Sequence, residues 1–410
     1  MKLAVTSPFV DRQHGTERVV AELLDRLVRN HGVEVHLYAQ KVDDLKVRLY
    51  SPGVKGPLDC VVWHRVPSLP GPHLLQYVFW YLANTFYRWR DRRFRGEKPD
   101  LLYSPGINSG AADVITVHIV FRAFQESVKG KLLLRDSPVR RWQVIIHRKL
   151  YYWLCVRLER RIYSSSGVTL SAVSPLVARQ LSQYYGRSDV TITQNAVDTS
   201  YFNVASRTAR RPAARSNLNI SNGAYVFLLI GNDWLKKGLE SAIRALATFH
   251  CSDVVFCIVG KDDQIPYVQL ATELKVADSL KFLSISSDVL EFYAAADAYV
   301  GPSLEDAYGL PVLEAMACGL PVISSSAAGV SELIDHGKNG FVLRNPRDVA
   351  ELAALMKNLY CDQESGHRIG NAAANTANRW TWDEHTAAVY DLLKRTLRVH
   401  QPAKLPSRAK

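Results

Sequence analysis

The sequence predicts an α/β protein of two lobes, each a parallel sheet covered by helices, on three observations. Strand-type and helix-type runs alternate in both halves of the chain. A polar stretch without an apolar period separates the halves. A length of 410 residues, 47% of them hydrophobic, exceeds what one core usually supports, so two domains are expected.

Leu3 to Val5 is a short β-type run. In "GTERVVAELLDRLVRNHG", Val20, Leu23, Leu24 and Leu27 then fall on one helical face, and "VEVHLYAQ" returns as a strand. That is the β-α-β unit of a parallel sheet. The pattern restarts with "AYVFLLIG" as a strand, "LKKGLESAIRALATF" as a helix, "DVVFCIVG" as a strand and "VLEFYAAADAYVGPS" as a helix running into a strand. Between the halves, "NVASRTARRPAARSNLNISNG" is rich in Ser, Ala and Arg and is expected to be a linker. The expected division is a first domain over 1–202, a linker over 203–223, a second domain over 224–378, and a terminal segment over 379–410. In that segment "RWTWDEHTAAVYDLLKRTL" is an amphipathic helix and "PAKLPSRAK" a basic tail. Ligands of open α/β sheets bind beyond the carboxyl ends of the strands, so informative residues should follow strands.

The formal charge of +12 calls for an anionic partner: nucleic acid, an acidic membrane surface or a phosphorylated small molecule. Six cysteines without a C-x-x-C pair fit a reducing, cytoplasmic setting. "MKLAVTSPF" is too short an apolar run for a signal peptide, and "LLQYVFWYLANTFYRW" is broken by Gln76 and Asn84, so no membrane span is expected. The chain has no D-x-D, no H-E-x-x-H and no Cys/His ligand cluster, so no metal or other cofactor is expected. It also lacks the G-x-G-x-x-G of nicotinamide enzymes and the G-x-S-x-G of hydrolases.

The most informative stretch is "SLEDAYGLPVLEAMACGLPVISS", Ser303 to Ser325. Pro311 suits a first helical turn, which would also hold Glu314, and Gly319 suits a left-handed helix end. The amides of Tyr308, Gly309 and Leu310 then sit at a helix N-terminus, whose partial positive charge favours phosphate or a sugar hydroxyl. In a purely structural alternative, Glu314 complements the helix dipole, worth about 0.3–1 kcal/mol, and Asp306 makes a local turn.

The run "EDAYGLPVLEAMACGLPVISSSAAGVSELIDHGKNGFVL" resembles the signature segment of the family 4 glycosyltransferases. These are retaining enzymes of the GT-B fold, in which an acidic residue, seven others and a Glu read the donor nucleotide-sugar. The resemblance implies two Rossmann-like parallel-sheet domains facing a central cleft. It implies that Glu314 bonds the donor ribose, that Asp306 contacts the transferred sugar, and that the Ala307 to Leu310 backbone holds sugar and phosphate. Asp306 stands where the family usually has Glu, and Glu305 beside it is the alternative for that role.

In "LLIGNDWLKKGLESAIRAL" the loop after Gly231 presents Lys236 and Lys237, which resemble the Arg-Lys pair of the lipopolysaccharide core glucosyltransferase branch, while Asn232 replaces the usual Arg. Cations there would stabilise a departing diphosphate in the transition state, although two lysines also suit a solvated patch. His118, closing the strand of "AADVITVHIVFRAF", resembles the family's T-x-H site on the donor sugar; a hydrogen-bonded core histidine is the alternative. Gly15 and Thr16 resemble the glycine-rich loop near acceptor and β-phosphate, though a plain β-α turn looks similar. "ITQNAVDTSYF" resembles the family's "NGVD" segment and places Asn195 near the cleft.

The implied activity is metal-independent, retaining transfer of a sugar from a nucleotide-diphosphate donor of the UDP-glucose type to a cell-surface polysaccharide, lipopolysaccharide or lipid-linked acceptor. The alternatives are a nucleotide-sugar epimerase of the same fold and, on charge alone, a nucleic-acid-binding protein; no nucleic acid is expected. Two basic, aromatic clusters stand in the first half. One runs from Arg140 to Arg161 with Glu159 as its only acid, and the other is "YRWRDRRFRGEK". They suit peripheral contact with an anionic membrane at the inner face, or solvated helix faces over core aromatics.

Overall fold

A computed structural model describes residues 1–52, 60–127, 142–249, 251 and 253–400, with backbone alone for 142–145. Arg140, Arg141 and the basic tail lie outside the described residues.

The first lobe holds β1 (Lys2–Thr6), β2 (Phe9–Val10), β3 (Glu34–Ala39), β4 (Lys41–Val42), β5 (Arg48–Tyr50), β6 (Cys60–Arg65), β7 (Leu101–Pro105), β8 (Val114–Val117), β9 (Thr169–Ala172) and β10 (Thr191–Ile192). Eight of these form a parallel sheet in the order β10-β9-β8-β7-β1-β3-β6-β5, and β2 pairs with β4 alone. Its helices are α1 (Gly15–His31), α2 (His73–Phe94), α3 (Phe121–Ser127), α4 (Trp142–Tyr163) and α5 (Pro175–Tyr185). The periodic face of α1 is fully buried at Val20, Leu23, Leu24 and Leu27. Gly32 ends the helix at φ 59, returning its N–H to Val28 O.

After α6 (Val204–Asn217), the second lobe holds β11 (Tyr225–Ile230), β12 (Val254–Val259), β13 (Leu280–Leu283), β14 (Ala298–Gly301), β15 (Val322–Ser325) and β16 (Phe341–Leu343). They form a parallel sheet in the order β13-β12-β11-β14-β15-β16. Its helices are α7 (Leu239–Leu246), α8 (Ile265–Glu273), α9 (Leu290–Ala295), α10 (Leu310–Ala317), α11 (Val349–Cys361) and α12 (Gln363–Ala377). Finally α13 (Trp382–His400) crosses back: Val389, Leu392 and Leu393 share one buried cluster with Leu3, Val5, Leu23 and Leu27.

Two expectations are corrected. The stretch 203–223 is mostly helix, not irregular linker: α6 spans Val204–Asn217, capped by Asn203, whose side chain accepts from Ser206 N at 2.8 Å, and it contains Pro212. Its period is carried by arginines rather than apolar residues. Arg207 and Arg211 each reach Ala296 O at 2.8 Å, Arg215 reaches Ala295 O at 3.1 Å, and Arg215 pairs with Asp297 at 2.7 Å. These side chains satisfy the open carbonyls at the end of α9, which fixes α6 to the second lobe. Glu314, placed above in a first turn, is the fifth residue of α10 and lies in its second.

Candidate functional site

The carboxyl ends of strands from both sheets converge on one cavity of about 380 Å³. From the first lobe it is lined by Gly15, Thr16, His118 and Asn195; from the second by Asn232, Lys237, Asp306, the Ala307–Leu310 segment and Glu314. Of the site residues singled out in the sequence, Lys236 and the alternative carboxylate Glu305 are missing from this lining. The Lys236 ammonium pairs instead with buried Glu305 at 2.9 Å and stands 5.1 Å from the Phe124 ring centroid. Glu305 thus pairs outside the cavity lining, whereas the neighbouring Asp306 is part of it.

Two helices begin at the cavity. Neither His14, before α1, nor Gly309, before α10, gives its helix a side-chain cap, so neither capping side chain claims the backbone N–H groups there, and both ends carry positive dipole character. Gly309 sits at φ 93, in the left-handed region.

Lys237 donates to Asp306 Oδ2 at 2.5 Å. Burial works to raise the Asp306 carboxyl, but Lys237 and Lys236 outweigh it and hold the group below the usual carboxylate range. The turn behind the lysine requires Gly238, at φ 74: a Cβ there would lie 2.0 Å from Pro302 O.

Glu314 is almost fully buried, and both its oxygens are engaged: Oε1 accepts from Arg18 at 2.6 Å and Oε2 from the Tyr293 hydroxyl at 2.7 Å. Arg18 belongs to the other lobe and also lines the cavity. Further contacts join the lobes, among them Arg347, which donates to Ser127 O at 3.1 Å, and Lys236 over the Phe124 ring. The Ser174 hydroxyl donates to Ala307 O at 2.7 Å, the Tyr308 hydroxyl donates to Asn195 O at 2.7 Å, and Arg179 pairs with Glu332.

His118 is buried, which pushes its imidazole down to about 3, with His385 adding to the effect. The ring is therefore neutral near pH 7. His118 Nε2 and Asn195 Oδ1 have no hydrogen-bond partner among the described residues, which leaves two buried polar atoms for a ligand.

The sequence reading missed Arg12, Gln13, His14 and Arg18 on the first lobe, and Ile285 to Ser287, Val289 and Phe292 on the second. One signal was available: Arg18 puts a cation near the start of α1, where the helix dipole disfavours it.

Residues 14–201 match the family model described as Glycosyltransferase Family 4, and residues 210–376 match Glycosyl transferases group 1. The chain belongs to the family 4 glycosyltransferases. It is 30% identical over 250 residues to a D-inositol 3-phosphate glycosyltransferase of Thermomonospora curvata, covering 56% of this chain and 58% of that one. It is 30% identical over 150 residues to the lipopolysaccharide glucosyltransferase WaaG of Escherichia coli (strain K12), covering 36% and 40%. The chain thus spans about half the length of the curated relatives it matches. Among solved structures, WaaG superposes with a TM-score of 0.74 at 18% identity, covering 95% of this chain and 99% of that one. Sucrose-phosphate synthase from Thermosynechococcus elongatus also gives 0.74 at 18%, covering 97% and 99%. HepE of Anabaena, in complex with UDP-glucose, gives 0.68 at 20%, covering 96% and 100%. The architecture is GT-B.

The chain has a second distinctive surface, on the outside of its first lobe. Leu74 N donates to His147 Nε2 at 3.4 Å and the Tyr77 and Tyr151 rings lie 6.0 Å apart, so α2 and α4 pack side by side in the same direction. On α2, Leu75, Val78, Leu82, Phe86 and Trp89 form an exposed stripe at helical spacing, and on α4 so do Ile146, Leu150 and Trp153. Toward their carboxyl ends both stripes give way to exposed Arg92 and Arg93, and to Arg157, Arg160 and Arg161. The only acids on these helices, Asp91 and Glu159, are fully buried. Among the described residues no helix is long and apolar enough to cross a membrane.

Proposed function

We propose that this glycosyltransferase moves a sugar, with retention of configuration, from a nucleoside-diphosphate sugar of the UDP-glucose type to a cell-surface polysaccharide, lipopolysaccharide or lipid-linked acceptor. The observation that carries this reading is the opening of two uncapped helix starts onto the cavity that also holds Lys237 and the carboxylates of Asp306 and Glu314. Backbone amides and an ammonium suit a diphosphate, and a carboxylate suits vicinal ribose hydroxyls.

In this reading the bond between the anomeric carbon and the diphosphate oxygen breaks, and its electron pair stays with the diphosphate. Lys237 and the amides of Gly309 and Leu310 offset the added negative charge, which favours the transition state over the ground state. An acceptor hydroxyl attacks the same face of the sugar, and its proton passes to the departing phosphate. Neutral His118 offers Nε2 to a sugar hydroxyl as a hydrogen-bond partner, and Asp306, held ionised beside Lys237, takes another. The charge is offset by protein groups throughout, so the reading requires no metal.

The outer face of α2 and α4 supports a peripheral seat on an anionic membrane at the cytoplasmic side, where an acceptor carried in lipid is presented to the first lobe. Exposed apolar stripes would enter the acyl boundary and the arginines would meet headgroups. Thermal-shift screening against UDP-glucose, GDP-mannose and ADP-glucose, followed by mass spectrometry of products formed with and without a bacterial glycolipid extract, tests the activity. Stabilisation by one donor and mass gain in the extract are expected. No stabilisation by any donor would overturn the reading, and isomerisation of a donor alone would make the enzyme an epimerase.

A further inference from the structure

Arg18 stands where local rules disfavour it. It is the fourth residue of α1, close to the positive end of that helix, yet its side chain is largely buried and lies 5.6 Å from the Phe202 ring centroid. What offsets this is Glu314 in the opposite lobe, 2.6 Å away. Burial lowers the guanidinium's proton affinity, but the carboxylate beside it more than compensates, so the charge is retained. For Glu314 the dependence is stronger. Within its own lobe the described partner of its carboxylate is a neutral hydroxyl, that of Tyr293, and Arg18 is its cation. Parted lobes would leave each buried charge without its counterion, and closed lobes pair them.

Resting on the reading that Glu314 takes the donor ribose, we propose that Arg18 is a positioning residue for that step. Reaching across the cleft, it fixes the Glu314 carboxylate, so that the ribose is gripped only when the lobes are closed. An ionised carboxylate accepts at about four sites; Arg18 and Tyr293 occupy one on each oxygen, which leaves one on each for the two ribose hydroxyls. The other described contacts between lobes do not touch Glu314: Ser174, Tyr308 and Arg347 hold backbone carbonyls, Arg179 pairs with Glu332, and Lys236 stands over Phe124. The coupling of closure to ribose recognition is therefore specific to Arg18. Because all ribonucleotides share this sugar, the inference does not depend on the base.

The test is calorimetric binding of UDP, GDP and ADP, and of their 2′,3′-dideoxy counterparts, to the full chain and to Arg18→Met, Arg18→Lys, Glu314→Gln and Arg179→Ala. Losing the ribose hydroxyls should weaken binding to the wild type by about ten-fold or more, the factor a hydrogen bond to a charged group contributes. Arg18→Met should weaken the ribonucleotide similarly and flatten the ribo-to-dideoxy ratio toward one. Arg18→Lys, which keeps the charge without the fork, should fall between. Arg179→Ala should keep the wild-type ratio. A purely structural role would lower melting temperature without changing the ratio, so an Arg18→Met or Arg18→Lys protein with the full wild-type ratio overturns the inference. If Glu314→Gln retains that ratio, or if no ribonucleotide binds the wild type, the underlying ribose reading fails as well.

Discussion

On the cleft side of the first lobe Arg18 is buried against Glu314 at 2.6 Å, whereas on its outer side Arg92, Arg93, Arg157, Arg160 and Arg161 stand exposed, without a carboxylate partner among the described residues. The same residue type performs two kinds of work. A buried pair is directional, because separating it strands both charges in a medium that solvates them poorly. Exposed cations attract over a distance, without orientation, and salt screens them. Variants in the cleft should therefore change turnover or fold at any ionic strength, and variants on the outer face should change only attachment, and only at low salt.

The largest contrast is expected from Lys237→Ala. Removing one group that stabilises a developing anion costs about 10²–10³ in kcat, with a rise in donor KM, and single-turnover measurements should show it at low and high salt alike. An unchanged kcat would remove Lys237 from the chemistry. Next is Gly238→Ala. Its Cβ would meet Pro302 O at 2.0 Å in a left-handed backbone, so the cost should be about 3 kcal/mol, read as a lower denaturation midpoint.

On the outer face, Arg92→Ser with Arg93→Ser should weaken binding to phosphatidylserine-containing vesicles by roughly 1 kcal/mol per residue. Kinetics on a soluble acceptor should not change. Flotation that is insensitive to both salt and these variants would erase the contrast between the faces. The smallest effect near neutrality concerns pH. The His118 imidazole is held at about 3 in the fold against an ordinary value of 6.5. Between those values the unfolded chain binds a proton that the native one refuses, so stability is full above pH 6.5 and falls as pH drops toward 3. His118→Asn should flatten part of that slope in denaturation measured from pH 7 to 4. His385, held at about 4 chiefly by burial, should supply another part.

Much of this architecture was legible because its elements are locally consistent. The α1 face of Val20, Leu23, Leu24 and Leu27 is buried as its period requires, and Gly319 takes φ 73 where a helix end was expected. Asp306 to Glu314 was legible for the same reason: a strand, a turn with a left-handed glycine and a helix start are all written locally. What escaped depended on partners distant in sequence. The α6 arginines read as polar filler until the open carbonyls of α9 and Asp297 supply their targets. Lys236 and Lys237 are adjacent and chemically alike, yet Glu305 draws one away from the cavity while Asp306 keeps the other in it. Arg18 is separated from Glu314 by 296 positions, and no local pattern announces such a pairing.

The return of α13 to the first lobe has a consequence for biogenesis. Val389, Leu392 and Leu393 complete a cluster begun by Leu3 and Val5, so when translation has delivered the first 200 residues to solvent, that cluster still lacks one wall. The nascent amino-terminal half must wait with apolar side chains uncovered until the second lobe has been made and the returning helix emerges from the ribosome. A chaperone that shelters this interval should matter more to the yield of folded protein than any that acts on the finished chain.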